Sequence, residues 1–525
     1  MAVSTTILVA VTLVYLAVIF YLGWLGYKQT KNSEDYLVAG RSAHPVVIAL
    51  SYGATFISTS AIVGFGGQAA NLGMGLVWLT VLNIGVGILL AFVIFGKKTR
   101  EIGQRLHAVT FPDLMGKVYH SPFIQVVSGV VIIVGMPLYT AAVLIGGAQF
   151  IRETLGVSYS TSLVGFAIIV AIYVIFGGLI AVMYTDAVQG AIMLAGMTIL
   201  LVATYLLLGG VTAANSSLTA MAPLVPANLV KGGMTGWTSM PVFGSPIWLT
   251  VITTLVLGVG IGVLAQPQLV VRFMTAKDNR SLNRAILVGG PFILMMTGVA
   301  FTVGALTNVY FYQTQGKIAV QVATGGNIDT IIPIFINQAM PEWFVVLFMV
   351  TLLAAAMSTL SSLFHAMGTA LICDVWGRGQ ACALSMRANQ VGVLVMIIAS
   401  VIIAFLMPGS IIAIATAMFM GLCASAFLPV FAVAVYAKKP DTTAAIASLL
   451  TGAIVWFIWA LFVNTRYASV YGLCKAIFGV SSLAGLPWSA VDPLVIALPL
   501  SAIVVIVLQL RADHRGGAGA VPVAA

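Results

Sequence analysis

Apolar residues in this chain come in runs of about 18 to 25 uninterrupted by charge, the length a helix needs to cross a bilayer core of about 30 Å. Hydrocarbon offers no partner for a bare peptide group, so only helices or closed barrels can span it. A barrel would show short strands of alternating polarity, and that alternation is absent. With 61% hydrophobic and only 7% charged residues, against roughly a quarter charged in soluble domains, the 525-residue chain is not a soluble globular protein. The expected class is an all-α, multi-spanning membrane protein.

Cutting the runs at charged or Pro/Gly-rich breaks predicts spans at 5 to 27, 45 to 70, 74 to 96, 123 to 150, 159 to 178 and 179 to 208. Seven more are predicted at 248 to 266, 285 to 311, 343 to 373, 388 to 407, 409 to 436, 442 to 465 and 491 to 510. The stretch 159 to 208 is divided at Gly177 and Gly178, because one straight helix there would reach about 75 Å. Thirteen spans place the termini on opposite sides.

The charges test that count. Of 23 Lys and Arg, 18 fall in one alternate set of segments, among them Lys28, Arg41, Lys98, Arg105, Arg272, Lys277 and Lys438. The other five are Arg152, Lys231, Lys317, Arg466 and Lys475, so none is left inside a span or at the midplane. The positive-inside rule then puts the N-terminus outside and the C-terminus in the cytoplasm, in a cell (inner) membrane. The net charge of +10 reads as topology, without the clustered basic stripe that nucleic-acid binding requires. Cys373, Cys382, Cys423 and Cys474 show no metal or disulfide-framework spacing. The N-terminal run lacks a basic n-region and is too long for a signal segment, so it reads as a retained first span.

The loops 209 to 247, 312 to 342 and 466 to 490 are too short for an independent core. Residues 328 to 343 are expected to form short helices capping the outer face, and the tail from 511 to be disordered.

Polar residues within spans are costly and point to function. Asp186 is the acidic residue that falls well inside a predicted helix, as a cation ligand, a coupling carboxylate or a structural group bonded to a hydroxyl. In the ninth span Ser358, Ser361 and Ser362 share one helix face with Ala355 one turn before. Such a stripe glues helices, or offers oxygens to a hard cation when a neighbour supplies free carbonyls. The second span is interrupted by Gly53, Gly64, Gly66 and Gly67, and the seventh by Gly258, Gly260, Gly262 and then Pro267. Glycine here means close helix packing or unwinding around a site; two such spans, five apart, point to an inverted-repeat transporter. His365, on the serine face, is read as structural.

EDYLVAGR (34 to 41), GGLIAVMYTDAVQ (177 to 189), QPQLVVRFM (266 to 274) and LAAAMSTLSS (353 to 362) resemble the sodium:solute symporters over nearly the whole chain. That family includes proline, pantothenate, monocarboxylate, sialic-acid and sugar cotransporters. The resemblance implies a leucine-transporter-like five-plus-five inverted repeat. Its parts would be 1–44, an extra N-terminal helix and cytoplasmic loop; 45–208, the first repeat; 209–247, an extracellular loop; 248–436, the second repeat; 437–510, two further helices; and 511–525, the tail. It implies a sodium site from the carbonyls of Ala54, Ile57 and Ala355 and the hydroxyls of Ser358 and Thr359. A second sodium would sit among Asp186, Ser358, Ser361 and Ser362, giving two sodium ions per solute. Solute positions would be Ser58, Thr59, Ser60, Tyr139, Val259 and Val263. Phe56, Val259 and Val263 depart from the proline symporters, which suggests a more aliphatic pocket.

The expectation is a sodium-coupled secondary active symporter, and no enzyme, because Asp186 and His365 alone make no catalytic constellation. The leading solute is a monocarboxylate or related organic acid; a proline-like amino acid, pantothenate or urea follow. A transporter-like sensor is the rival class. Sodium, the solute and the lipid bilayer are the expected partners, with no nucleic acid and no obligate protein.

Overall fold

The computed structural model describes residues 5–29, 37–41, 43–377 and 386–517. The described residues are helical throughout, apart from turns and one isolated bridge between Ala43 and Ala276. In chain order the long helices are α1 (Thr5–Gln29), α2 (Pro45–Phe56), α3 (Ser60–Leu72), α4 (Met74–Arg105), α5 (Pro122–Leu155) and α6 (Tyr159–Leu207). There follow α7 (Pro246–Met274), α8 (Asn279–Gln315), α9 (Glu342–Trp376), α10 (Met386–Leu406), α11 (Ile412–Tyr436), α12 (Thr442–Phe462) and α13 (Leu494–Gly517).

Eleven helices among the described residues are long and apolar enough to cross a bilayer, and α2 with α3 makes a twelfth, bent by 50°. The protein is therefore a multi-pass membrane protein. The thirteenth expected span lies on the first half of α6, where only Tyr159–Ile172 forms a shorter apolar stretch. Helical backbone runs through the expected cut at Gly177 and Gly178, and the side chains of 173 and 176–178 lie outside the described ones. Both halves of α6 nevertheless flank the same part of α1. Ile169 lines a groove with Leu16, while Gln189 donates to the Tyr15 hydroxyl at 2.9 Å. In a straight helix those two residues would stand about 30 Å apart.

Burial ranks the helices. The apolar window of α9 is 94% buried, those of α5 and α11 83%, and those of α1 and α13 28%, so α9 runs through the centre of the bundle. A lipid-facing helix needs no polar partner, whereas a central one can carry hydroxyls only against other helices.

The two interruptions fall beside the glycines, not on them. α2 ends at Ile57 (φ −92°, ψ 110°), and the Ser58 hydroxyl accepts the Ser60 N–H to start α3. α7 breaks at Gln266 (φ −73°, ψ 120°), the extended conformation that Pro267 imposes on its predecessor. Gly64, Gly258 and Gly262 keep helical angles. The glycines serve packing: a Cβ on Gly53 would stand 2.5 Å from Phe292 and one on Gly262 2.4 Å from the Met420 carbonyl.

The short helices expected in 328 to 343 form, at Ile328–Thr330 and Ile331–Ala339. The tail departs from expectation: α13 continues to Gly517, held by the Gln509 amide on the Lys439 carbonyl and the Asp513 carboxylate, and 518–525 lie outside the described residues. Cys373 is in a disulfide, against the sequence reading; Cys382 lies outside the described residues.

Candidate functional site

The site is built where the end of α2 meets the middle of α9. Since α2 stops at Phe56, its last carbonyls have no continuing helix to receive them. The Ser358 hydroxyl donates to the Ala54 carbonyl at 2.9 Å and to the Ala355 carbonyl at 3.2 Å. Thr359 donates to the carbonyls of Ala54 at 3.3 Å and Thr55 at 3.1 Å. Ala54, Ala355, Ser358 and Thr359 are all fully buried. Ile57 caps α2 through its N–H on the Gly53 carbonyl, one turn from this cluster.

These hydroxyls have lone pairs as well as protons, so a cation entering among them needs only their rotation. Carbonyl and hydroxyl oxygens of this kind suit a hard monovalent ion. Among the described residues, no group of three or more His, Cys, Asp or Glu could hold a metal, so a transition-metal centre finds no ligands there.

A second polar cluster lies on the same faces. Asp186 Oδ2 accepts from Ser51 at 2.8 Å, from Thr55 at 3.3 Å and from Arg272 Nη2 at 2.9 Å. Arg272 also donates to Ser51 at 3.1 Å, to Ser362 at 2.5 Å and to the Gln268 carbonyl at 3.1 Å. Ser361 and Ser362 both donate to the Ser358 carbonyl. Arg272, Asp186 and Ser362 are each at most 2% exposed. This corrects the charge reading, which placed Arg272 in a loop: the break at Gln266 turns the second half of α7 inward, and Arg272 follows it. Arg272 thus supplies the positive partner that sequence reasoning had assigned to a second sodium. Its signal was present in the hydroxyls Ser51 and Thr55, one turn apart on α2 and facing a lone intramembrane carboxylate.

The solute positions cluster in part. Tyr139 donates to Ser58 at 3.4 Å, and Thr59 donates to the Val143 carbonyl at 2.8 Å, tying the break to α5. The Ser60 hydroxyl is buried without a partner. Val263 and Phe56 both approach Gly87, and Tyr139 stacks on Phe419. Val259 is buried on α7 and has no polar contact to offer. Arg272 also lines a cavity of about 20 Å³, with Thr110, Phe111, Pro267, Gln268, Ser362 and His365.

A sequence model of the sodium:solute symporter family matches residues 36–452. The chain is 27% identical over 480 residues to sodium/proline symporter 2 of Staphylococcus saprophyticus, covering 89% of each protein. It is 28% identical to the sodium/pantothenate symporter of Haemophilus influenzae, covering 84% of this chain and 87% of that one. Its fold matches a solved sodium-coupled sialic acid symporter with a TM-score of 0.71 at 17% identity, over 95% of this chain and 96% of the other.

Proposed function

The chain belongs to the sodium:solute symporter family, and from that premise we propose that it is a secondary active transporter that carries sodium and a small carboxylate-bearing solute inward together. The observation behind this reading is the meeting of the Ser358 and Thr359 hydroxyls with the Ala54 carbonyl at the end of a broken helix. Sodium would take its place among Ala54, Ile57, Ala355, Ser358 and Thr359. Hydroxyl protons would turn away, and the ion would draw α2 and α9 together.

The solute would sit at the break, beside Ser58, Thr59, Ser60, Tyr139, Val259 and Val263. The named relatives carry proline or pantothenate, both carboxylic acids, and a carboxylate is the group a helix terminus and a nearby sodium can hold. A monocarboxylate fits the aliphatic lining from Val259 and Val263; an amino acid or pantothenate remains the second reading because of those relatives. Driving force comes from the sodium gradient and the membrane potential, worth about 2.3 kcal/mol per charge per 100 mV.

A second sodium at Asp186, Ser361 and Ser362 would compete with Arg272 for the same oxygens. Two unit charges 4 Å apart repel by about 4 kcal/mol near a protein surface, so either Arg272 leaves or the second ion stays out. One sodium per solute is the reading for the arrangement described here. The topology that fits is five-plus-five, spans two to eleven, within 45–208 and 248–436, with α6 crossing twice and the N-terminus outside. Its support is the pair of broken segments five spans apart and the shared contact of both halves of α6 with α1.

The test is uptake into proteoliposomes of the purified chain under an imposed sodium gradient, with labelled proline, pantothenate, lactate and urea. Accumulation above equilibrium for one carboxylate, abolished by replacing sodium with potassium, is expected. Sodium-independent or merely downhill flux would reject symport.

A further inference from the structure

The basic face of the protein carries a cleft that the transport reading does not use. It encloses about 490 Å³ between the charged end of α4, the short helix Phe111–Val118 and the chain leaving α11. Lys98 and Arg105 line one wall, Lys117 the second and Lys438 the third. Among the described residues Glu101 is its one lining carboxylate, and it is engaged by Lys98 at 3.7 Å. Lys117 is neutralised by Asp113 at 2.8 Å. Among the described residues, neither Arg105 nor Lys438 has a carboxylate within 4.0 Å, and both are exposed. Two cations without a carboxylate partner lining one cleft, one of them a planar guanidinium, suit a phosphate anion.

One wall says where that phosphate comes from. Tyr436 lines the cleft and donates to the Ile94 carbonyl at 2.7 Å. Ile94 and Val93 are 39% and 45% exposed on α4, so through Tyr436 the cleft adjoins an exposed apolar flank of that helix. Exposed tyrosine at such a boundary marks the headgroup level of a bilayer. A free phosphate would gain nothing from that flank, whereas a phospholipid would lay its acyl chains along it.

We propose that this cleft is a binding site for an anionic phospholipid of the inner leaflet, its phosphate held between Arg105 and Lys438. Because the walls belong to the end of α4 and the end of α11, the bound lipid bridges two segments far apart in the chain. The inference rests on the membrane-spanning reading and not on symport, so loss of sodium-driven uptake leaves it standing.

The experiment titrates the purified full chain, in neutral detergent, with phosphatidylglycerol or phosphatidylcholine and reads the bound fraction by native mass spectrometry. Wild-type protein is expected to hold phosphatidylglycerol selectively. Arg105→Gln with Lys438→Gln should weaken it about twenty-five-fold, at about a factor of five per cation. Lys231→Gln with Lys475→Gln, in loops assigned to the other face, should change nothing. Wild-type affinity in the Arg105/Lys438 variant, or equal binding of both lipids, overturns the site. Displacement by glycerol phosphate at the concentration at which the lipid itself binds overturns the lipid as its ligand.

Discussion

Nη2 of Arg272 lies 2.9 Å from Oδ2 of Asp186, and the two side chains are 1% and 0% exposed. A pair so deep is held less by its mutual attraction than by the cost of separating it: removal of one partner leaves the other charge in hydrocarbon. Arg272→Ala should therefore destabilise the protein by about 3 to 5 kcal/mol, whereas Arg272→Gln combined with Asp186→Asn should lose much less than the sum of the single changes. Unfolding midpoints in detergent measure both. Equal losses for the double variant and the summed singles would show that the two side chains do not act as a pair.

Ser358 and Thr359 share the Ala54 carbonyl, so removing either hydroxyl removes one candidate sodium ligand and leaves the helices in contact. Each lost neutral hydrogen bond costs about 1 kcal/mol of stability. Ser358→Ala and Thr359→Ala should each raise the sodium concentration for half-maximal uptake by about tenfold or more, with the unfolding midpoint moved by a few degrees. Sodium titrations of uptake check this, and an unshifted curve in both variants would falsify the site.

Much of this architecture was legible because hydrocarbon is an unforgiving solvent. Run length, charge segregation and the hydroxyl stripe of Ser358, Ser361 and Ser362 follow from what a bilayer permits. Three things were not legible. The glycines drew attention away from Ile57 and Gln266, where the backbone actually leaves the helix; a glycine serves close packing as readily as unwinding, and only coordinates separate the two. Arg272 was assigned to a loop because charge counting gives a side and not a depth, and a broken helix can carry a cation inward. The course of α6 was ambiguous for a related reason: length alone divides 159 to 208 into two spans, whereas helical hydrogen bonding is local and runs on through the expected cut at Gly177 and Gly178, so no local pattern fixes the number of crossings.

Asp329 in the short-helix cap 328–339 is fully buried, with the Ile412 N–H at 3.4 Å and Tyr159 close enough to feel its charge. Burial pushes its carboxyl from 3.8 up to about 7, an effect the backbone N–H groups of Ile412 and Ile411 only partly offset. In that window the native state keeps a proton that the unfolded chain has released, so stability falls as pH rises from 3.8 to about 7 and levels beyond it. Asp329→Asn removes the dependence. The difference in unfolding midpoint between wild type and Asp329→Asn should therefore change steadily across this range, with the wild type losing ground toward neutral pH. A constant difference would mean that the carboxyl titrates as it does in water.

Gly67 connects that cap to the broken helix. It lies in α3, and a Cβ there would stand 2.4 Å from the Ile328 carbonyl oxygen and 3.1 Å from its carbon. Neither atom belongs to a side chain that can swing aside, so Gly67→Ala must lift the Ile328–Thr330 segment off α3. Overpacking of this sort costs about 1 to 3 kcal/mol. It should also let water reach Asp329 and return its carboxyl toward the ordinary range, so the pH dependence just described should fade in Gly67→Ala. Gly165 provides the control, since a Cβ there meets nothing within 4 Å, and Gly165→Ala should leave stability unchanged or raise it by up to about 1 kcal/mol. Unfolding midpoints of the three proteins across the same pH range carry the comparison. A destabilised Gly67→Ala that kept the full wild-type pH slope would show that Asp329 is shielded by something other than the seating of the cap on α3.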